Sequence, residues 1–511
     1  MAKPTKIEGS SLIVRVLAEQ GVEVIFGYSG GAILSTYDAV FRYNSDNQIN
    51  GKEPIPLIVP ANEQGAGFMA SGYARAAGKP GVVLVTSGPG ATNTVTPVRD
   101  AMADSIPLVV ICGQVARASI GTDAFQEAPV SSIMGSVAKH VFLITEPEKL
   151  EATMRAAFEI ATSGRPGPVV VDVPKDIQTS MINPVPEASL NIAAYRGRLN
   201  KIEERELNDS ECKKFFKYLD QSERPLLYVG GGVIAGEGSK SLRDFAEKFQ
   251  IPIATTLMGI GAIGTQSILS LRMLGMHGTA YANYAVEDCD FVIAVGARFD
   301  DRVAAMPKKF APQARAVAHF DIDPSEIDKV KNVDWFHIGV LNKAITKLSD
   351  YADQKNLVFN FATWLDEIQE LKSKHALSYN RESNLIQPQM VLEEINKLTQ
   401  GKAIVTTGVG QHQMWAAQYF DFDEPRQWLT SGSMGTMGFG LPAAIGAQFA
   451  QPDLMVIDVD GDGSIRMNLG ELETVTAYDL PVKILLLNNS GDGMVKPVSY
   501  THLTLPTNRY V

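Results

Sequence analysis

The sequence predicts an α/β protein with three domains, each of which is a doubly wound parallel sheet. Short apolar runs rich in β-branched residues alternate with helical stretches along the whole chain. Such runs, uninterrupted by charge, are typical of strands that are buried on both faces of a parallel sheet. The chain also has 511 residues, too many for one hydrophobic core and enough for about three domains of ordinary size.

The predicted strands fall into three groups. They cover 22–26, 57–59, 81–86, 108–112 and 169–173 in the first group, 225–229, 291–295 and 316–321 in the second, and 403–407, 455–459 and 482–487 in the third. Polar, proline-containing sequence separates the groups at about 178–205 and 372–387. The predicted domains are therefore 1–185, 200–370 and 385–496, followed by a segment of 497–511.

The charge balance and the cysteines restrict the partners and the compartment. The chain has 46 Lys plus Arg against 57 Asp plus Glu, a formal charge of −11, so we expect no nucleic acid partner. Its three cysteines, Cys112, Cys212 and Cys289, have no CxxC spacing and no disulfide pattern. No segment has the length of a membrane span or the form of a signal peptide. We expect a cytoplasmic protein that does not enter a membrane.

Two neighbouring strands of the third group end in residues that suit a metal and a diphosphate. The strand 455–459 runs into Gly461, Asp462 and Gly463, and the next strand closes with Asn488 and Asn489. A hard dication prefers carboxylate and amide oxygens, and glycines let the backbone approach phosphates closely. Either piece alone is more often an ordinary turn. Together, at this separation and beside buried strands, they predict a magnesium and diphosphate site.

This arrangement resembles that of the thiamine diphosphate enzymes, and the rest of the chain narrows the resemblance to the acetohydroxyacid synthase (acetolactate synthase) large subunit, over about residues 9–495. The resemblance implies that Asp462, Asn489 and the carbonyl of Gly491 hold Mg²⁺. It implies that the backbone of Gly435 and Met437 bonds the aminopyrimidine and that the Met437 side chain keeps the cofactor bent. The other implied contacts of thiamine diphosphate are Gly410, Gln411, His412, Gly461, Gly463, Ser464 and Met494.

A glutamate follows the strand 57–59 in the sequence Ala61 to Gly67. A carboxyl group in apolar surroundings has a raised pKa and can hold and share a proton at neutral pH. Taken alone, Glu63 is more often a first-turn residue that interacts with the helix dipole. The resemblance implies instead that Glu63 is a buried acid that activates the cofactor. Asn62 and Phe68 stand where the family often has His, so no imidazole relay is expected.

The remaining active-centre positions rest on the same resemblance. Gly30 and Gly31 match a loop whose amides face the reacting centre, although Ser29 replaces the usual Pro. The stretch 86–93 matches residues that line the pyrimidine. The implied catalytic residues besides Glu63 are Gly31, Phe125, Gln126 and Lys175, the last at the substrate channel.

The second domain carries glycines directly after its first strand. Gly230, Gly231 and Gly232 lack the full GxGxxG spacing, so a plain strand-to-helix turn remains an equal alternative. The stretches 274–278 and 296–302 resemble FAD-binding stretches of the same family. The implied FAD contacts are Arg165, Gly230, Gly231, Gly232, Thr256, Leu257, Met258, Gly275, Met276, His277, Gly296, Arg298, Asp300, Arg302 and Asp321. Arg302 also suits a 2-keto acid carboxylate, and His277 could equally be a core histidine.

The resemblance implies an enzyme of branched-chain amino acid biosynthesis. It would decarboxylate pyruvate and add the two-carbon unit to pyruvate or 2-ketobutyrate, as a homodimer or homotetramer with active sites between subunits and with a small regulatory subunit. One alternative is another thiamine diphosphate-dependent lyase or decarboxylase of 2-keto acids. The other is a truncated subunit with impaired catalysis.

Two segments depart from the family pattern. The stretch 43–56 is longer than the family norm and rich in Asn, Lys and Pro, which predicts a surface loop. After Lys496 the sequence shows no helical periodicity, and we interpret 497–511 as a foreign tail on a truncated third domain. Without the segment that closes over the site in the family, we expect water to reach the reaction centre.

Overall fold

The computed structural model describes residues 6–185, 187–491 and 493–494, and three parallel sheets organise them. Helices cover the sheets, which confirms the predicted α/β fold class. Each sheet lies inside one of the predicted segments 1–185, 200–370 and 385–496, although the exact boundaries stay predictions. The interpretation of 497–511 as a foreign tail falls on residues outside those described. In the described ranges, no helix combines the length and apolar character needed to cross a bilayer.

The first sheet has six parallel strands among the described residues, in the spatial order 2-1-3-4-6-5. The strands are Ile25–Tyr28, Leu57–Ile58, Gly81–Val85, Leu108–Gln114, His140–Leu143 and Pro168–Pro174. The helices are Gly9–Glu19, Leu34–Ile49, Glu63–Ala77, Pro89–Thr92, Val95–Asp104, Val130–Gly135, Leu150–Thr162 and Lys175–Gln178, with 3₁₀ turns at Arg117–Ser119 and Pro147–Lys149. The central strands are wholly buried because helices cover both faces.

A short antiparallel pair closes the first domain. Ile7–Glu8 pairs with Met181–Ile182, so that the beginning and the end of the domain lie side by side. The amide of Gly9 donates to the carbonyl of Ser180 at 2.9 Å. A side chain at Gly9 would collide with the backbone of residues 177 and 178, so the close approach requires glycine.

The loop predicted for 43–56 is wrong in its first half, because the helix Leu34–Ile49 continues through residue 49. Buried side chains such as Tyr37 and Val40 attach one face of this helix to the core. The side chain of Asn44 both donates to and accepts from the backbone of Ile55, at 2.8 Å in each case. Asparagine thus ties the following turn to the helix instead of ending the helix.

The second sheet has six parallel strands in the part of the chain described, in the order 3-2-1-4-5-6. The strands are Pro225–Val229, Ile253–Thr255, Ser270–Met273, Phe291–Val295, Ala316–Asp321 and Trp335–Ile338. The helices of this domain are Asp209–Asp220, Gly231–Ala235, Ser239–Phe249, Ala280–Asp288, Leu341–Gln354 and Ala362–Lys374, with 3₁₀ turns at Leu257–Gly259 and Pro324–Glu326; Ala193–Glu203 precedes them. The first and fourth strands are neighbours, so their loops leave a crevice at the carboxyl edge.

The third sheet has four parallel strands within the described ranges, in the order 2-1-3-4. The strands are Ile404–Thr407, Trp428–Leu429, Val456–Gly461 and Lys483–Leu487. The helices are Pro388–Thr399, Gln411–Tyr419, Gly440–Ala450, Asp462–Ile465 and Glu471–Ala477, with a 3₁₀ turn at Arg466–Asn468. A short helix therefore begins directly at Asp462, at the end of the third strand.

The first and third domains meet through two helices that pack backbone against backbone. Gly72 of Glu63–Ala77 lies against Ala443, and Gly446 of Gly440–Ala450 lies against Met69 and Tyr73. Small residues allow this approach, which larger side chains would prevent. The contact fixes the third domain against the domain that contains Glu63.

Candidate active site

The carboxyl ends of two adjacent strands bring the predicted metal ligands to one edge of the third sheet. Gly461 ends its strand opposite Leu487 in register. Asp462 follows the first of these strands directly, and Asn489 stands two residues after the second. Asp462 is half-buried. The structure therefore brings the chain positions of the two predicted metal ligands to the same edge of the sheet.

The oxygen atoms at this edge suit a hard cation as ligands. The amide nitrogen of Asn489 donates to Gln411 Oε1 at 3.1 Å, and its side-chain oxygen accepts from the amide of Gly491 at 3.1 Å. The carbonyl of Gly491 accepts from Gly493 at 2.9 Å. In the part of the chain described, no group of three or more His, Cys, Asp or Glu side chains forms a metal site. One carboxylate with amide and carbonyl oxygens fits Mg²⁺ and does not fit Zn²⁺.

The loop from strand 404–407 to the helix Gln411–Tyr419 is built around His412. A Cβ at Gly410 would lie 2.6 Å from the imidazole, and one at Gly461 would lie 2.5 Å from it. The ring is buried, with Nε2 3.4 Å from the Asp460 carboxylate, and burial lowers its pKa to about 4. Neutral His412 thus supports both glycine loops from inside the domain, while its backbone amide stands in the first turn of the helix.

Ser464 connects the loops around the crevice. Its hydroxyl oxygen accepts from the amide of Val409 at 3.3 Å and from the amide of Gly438 at 3.0 Å. The side chain is buried, so it joins the loops of Gly410, Gly461 and Met437 from below. Gly435 has φ +62°, a conformation that favours glycine. Gly463, Met437 and Met494 are half-buried.

Glu63 begins the helix Glu63–Ala77 in the first domain. Asn62 caps this helix by accepting from the amide of Gly65 at 3.0 Å, and Asn93 donates to Glu63 Oε2 at 2.8 Å. Glu63 is half-exposed in the single chain, so the predicted burial is not met. Its position in the first turn, with the stretch 86–93 on one side, leaves the other side open.

The structure brings Gly30 and Gln126 against the stretch 86–93, and Phe125 and Lys175 are exposed elsewhere in the first domain. A Cβ at Gly30 would lie 2.6 Å from the Thr86 side chain, while the space beside Gly31 is open. Gln126 has φ +58°, and its carbonyl lies 2.7 Å from the Cβ position of Gly88. Phe125 is 89% exposed, and Lys175 is exposed at the start of its short helix. Between the described residues, no hydrogen bond joins Glu63 to Asp462 or Asn489.

Three family models match the chain, one for each domain. They are described as thiamine pyrophosphate enzyme, N-terminal TPP binding domain (residues 7–134), central domain (212–348) and C-terminal TPP binding domain (408–507). The acetolactate synthase, chloroplastic, of Arabidopsis thaliana is 46% identical over 490 residues, which cover 96% of this chain and 71% of the relative. The chain belongs to the acetolactate synthase family.

Other members of the acetolactate synthase family give the same picture. The acetolactate synthase catalytic subunit, mitochondrial, of Saccharomyces cerevisiae is 45% identical over 504 residues, which cover 96% of this chain and 72% of the relative. The acetolactate synthase 1, chloroplastic, of Oryza sativa subsp. japonica is 45% identical over 499 residues, which cover 97% and 74%. Because these relatives belong to organelles, the cytoplasmic location stays a prediction. The match makes the chain a thiamine pyrophosphate enzyme of three α/β domains.

In this member of the acetolactate synthase family, two glycine loops of the central domain pack against each other. The amide of Gly230 donates to Val295 and that of Gly232 to Gly296, each at 3.0 Å. A Cβ at Gly232 would lie 2.8 Å from Gly296, which itself has φ +53°. The Met258 side chain packs near Gly231. The glycines therefore serve close backbone packing at the carboxyl edge of this sheet.

Other predicted flavin positions of the acetolactate synthase family lie around that edge. Arg298 donates to the Ser433 hydroxyl of the third domain at 2.7 Å, and Arg165 donates to Glu326 at 2.9 Å. The Arg302 side chain is 71% exposed. Burial and Arg302 lower the pKa of His277, which is half-buried. The remaining positions are Thr256, whose hydroxyl caps the turn of Leu257, Gly275, Met276 and Asp300 in neighbouring loops, and Asp321 at the end of its strand.

Sequence patterns miss three charged residues that reach the site from the first domain. Asp100 and Asp104 are buried and bind the loop that carries Gly435 and Met437, and the buried Arg75 pairs with both aspartates. Neither aspartate belongs to a short motif. Only these contacts between distant parts of the chain identify them.

Proposed function

We propose that the protein is the catalytic subunit of an acetolactate synthase that holds thiamine diphosphate through Mg²⁺ at the edge of the third sheet. Its substrates are pyruvate, and pyruvate or 2-ketobutyrate as the acceptor of the two-carbon unit. The observation that carries this proposal is the placement of Asp462 beside the strand end of Asn489, with Gln411 in contact. Bound thiamine diphosphate supplies the electron sink that lets a carbon–carbon bond of a 2-keto acid break.

The third domain would hold the diphosphate end. Asp462, Asn489 and the carbonyl of Gly491 supply oxygen ligands to Mg²⁺. The first amides of the helix Gln411–Tyr419 would donate to the phosphates. Gly461 is needed beside His412, since a side chain there would collide with the imidazole. These residues bind and orient, and none of them transfers a proton.

The first domain would supply the acid. Glu63 can hold a proton for the aminopyrimidine, but in a single chain it is half-exposed and has no hydrogen bond to the metal ligands among the described residues. Covering it with the third domain of a second subunit would remove it from water, which favours the protonated carboxyl. This supports a homodimer with shared active sites. A small regulatory subunit and a tetramer follow from the family resemblance alone.

Three exposed residues of the first domain suit the substrate. Phe125, Gln126 and Lys175 offer an apolar face, an amide and a cation that the single chain leaves uncovered. Arg302 is also exposed, beside Asp301 at 3.7 Å, and could clamp a 2-keto acid carboxylate with two parallel hydrogen bonds. We assign these four residues to binding and selecting the keto acids.

The central domain would bind FAD in a structural role. The crevice between its first and fourth strands, the close-packed loops of Gly230 and Gly296, and the arginines 165 and 298 at its edge support this assignment. The reaction transfers no electrons, so no step passes through the flavin.

The test is binding and turnover in the full chain. The parent protein should bind thiamine diphosphate in a Mg²⁺-dependent manner and form acetolactate from pyruvate. Asp462→Asn should weaken binding at least about tenfold, because it removes the charged metal ligand. Asp453→Asn, an exposed change in the same domain at the amino end of the strand Val456–Gly461, is the control and should bind like the parent.

Two results would contradict the proposal in different ways. Unchanged cofactor binding in Asp462→Asn would refute the metal site. Binding without acetolactate, but with turnover of another 2-keto acid, would favour a different thiamine diphosphate-dependent lyase.

A further inference from the structure

A buried charged cluster of the first domain holds the loop of the third domain that carries Gly435 and Met437. We propose that Arg75, Asp100 and Asp104 are positioning residues, which fix this loop and thereby set the affinity for thiamine diphosphate. The proposal deepens the proposed function and rests on it for the role of the loop. The hydrogen bonds that fix the loop can be tested without the cofactor.

Asp104 binds the loop backbone. Its two carboxylate oxygens accept from the amides of Gly432 at 2.9 Å and Ser433 at 2.8 Å. The side chain is wholly buried. Burial alone would raise the pKa of Asp104, but Arg75 and the loop amides lower it overall, so the group is ionised at neutral pH. Charged acceptors form the stronger class of hydrogen bond, and here two of them fix consecutive amides.

Asp100 binds the loop side chains. One of its oxygens accepts from the hydroxyl of Thr436 at 2.9 Å and also from the hydroxyl of Ser431. The Ser431 hydroxyl in turn accepts from the amide of Thr436 at 2.9 Å, which closes the loop on itself. Thr436 lies between Gly435 and Met437. Asp100 therefore binds the residue that is next in sequence to both positions assigned to the aminopyrimidine.

Arg75 lies between the two aspartates and compensates one of their negative charges. Its Nη2 lies 3.2 Å from Asp100 and 3.0 Å from Asp104, and its side chain is 5% exposed. Removing one partner of such a buried group leaves an uncompensated charge, which costs more than the pair contributes when intact. From the central domain, Arg298 donates to the Ser433 hydroxyl at 2.7 Å. Residues of all three domains thus converge on one short loop.

The loop needs such contacts because it has little structure of its own. Residues 430–439 form neither helix nor strand, and Gly435 and Gly438 have φ of +62° and +82°. Met434 and Gly435 are exposed. A segment of this kind loses conformational entropy when it binds a ligand unless other contacts have already ordered it. The buried aspartates provide that order before the cofactor arrives.

The experiment compares the full chain with Thr436→Val and Asp104→Asn. Thr436→Val keeps the side-chain shape and removes one hydroxyl donor, so folding should be preserved, as checked by the urea midpoint. Asp220→Asn, at the exposed end of the helix Asp209–Asp220, is the control. Binding of thiamine diphosphate with Mg²⁺ is measured by titration calorimetry, and amide hydrogen exchange of residues 431–438 is measured in the protein without cofactor.

We expect the dissociation constant to rise about tenfold in Thr436→Val and further in Asp104→Asn, with faster exchange in the loop and parent behaviour in the control. The maximal rate at saturating cofactor should also fall, because the loop orients the bound ring. Unchanged exchange and unchanged affinity in both variants would overturn the proposal. Failure of the parent protein to bind thiamine diphosphate would instead refute the proposed function, and the exchange rates would still decide whether the aspartates fix the loop.

Discussion

The contact between the first and third domains predicts that the same added methyl group stabilises the fold at one helical glycine and destabilises it at another. Gly197→Ala and Gly446→Ala make the same change inside a helix, where alanine is favoured by about 1 kcal/mol over glycine. The space around Gly197, in Ala193–Glu203, is open to at least 4 Å. At Gly446 the new Cβ would lie 2.7 Å from the Met69 carbonyl carbon and 2.8 Å from the Tyr73 nitrogen.

The size of the effect at Gly446 follows from these distances. Ordinary contacts begin near 3.4 Å, and the Met69 carbonyl oxygen lies closer to the new Cβ than either of these atoms, so the two helices must separate by more than about 0.7 Å. Backbone atoms cannot rotate away as a flexible side chain would. A gap of about 0.5–1 Å already forfeits a quarter to a half of each van der Waals contact along the interface. Together with the overpacking itself, we expect a net destabilisation of about 1–3 kcal/mol, against a gain of about 0.5–1 kcal/mol for Gly197→Ala.

Urea unfolding followed by circular dichroism measures both variants. The midpoint should fall for Gly446→Ala and rise slightly for Gly197→Ala, relative to the parent. A rise of similar size in both would refute the close approach of Glu63–Ala77 to Gly440–Ala450.

Three further predictions address the central domain and the metal. Burial lowers the pKa of His337 to about 4. The imidazole therefore stays unprotonated in the folded state at pH values where the imidazole of the unfolded chain, with its ordinary pKa, already binds a proton. Stability should therefore fall between pH 6.5 and 4, and His337→Gln should reduce that fall by about 1–3 kcal/mol in urea titrations at each pH. Asp290→Ala should cost about 2–4 kcal/mol, because this buried carboxylate accepts from Ser222 and from two backbone amides; the exposed Asp288→Ala is the control, and equal midpoints would contradict the assignment. Removal of Mg²⁺ by a chelator should weaken thiamine diphosphate binding at least about tenfold, and calorimetry that shows no change would exclude a metal bridge.

The strands that were predictable are those with a continuous apolar run. Leu108–Gln114 and Phe291–Val295 are buried on both faces, so the requirement for apolar side chains appears directly in the sequence. The short strands Ile253–Thr255, Trp428–Leu429 and the partly exposed His140–Leu143 carry no such signal. Hydrogen-bonded pairing with a neighbouring strand defines these strands more than their own amino-acid composition does.

The position of the two candidate metal ligands at one sheet edge was predictable, but the surroundings of the candidate site were not. Asp462 and Asn489 come together because parallel strands end at one edge, a rule that needs no tertiary detail. The burial of a site side chain does not follow from such a rule. Glu63 is half-exposed and His412 is buried against Asp460, and packing by distant segments decides both. Asp104 contacts a loop more than 300 residues away in the chain, so no local pattern could reveal it.

The antiparallel pair of Ile7–Glu8 with Met181–Ile182 has a consequence for how the first domain can be handled. Because the chain enters and leaves this domain at one point, the two ends could be joined by a short peptide and new ends opened in a surface turn, giving a circular permutant with the same sheet. The polypeptide that leads to the other two domains also leaves the first domain at this same pair of strands. Tension applied through the termini would load that two-residue ladder before any central strand of the sheet.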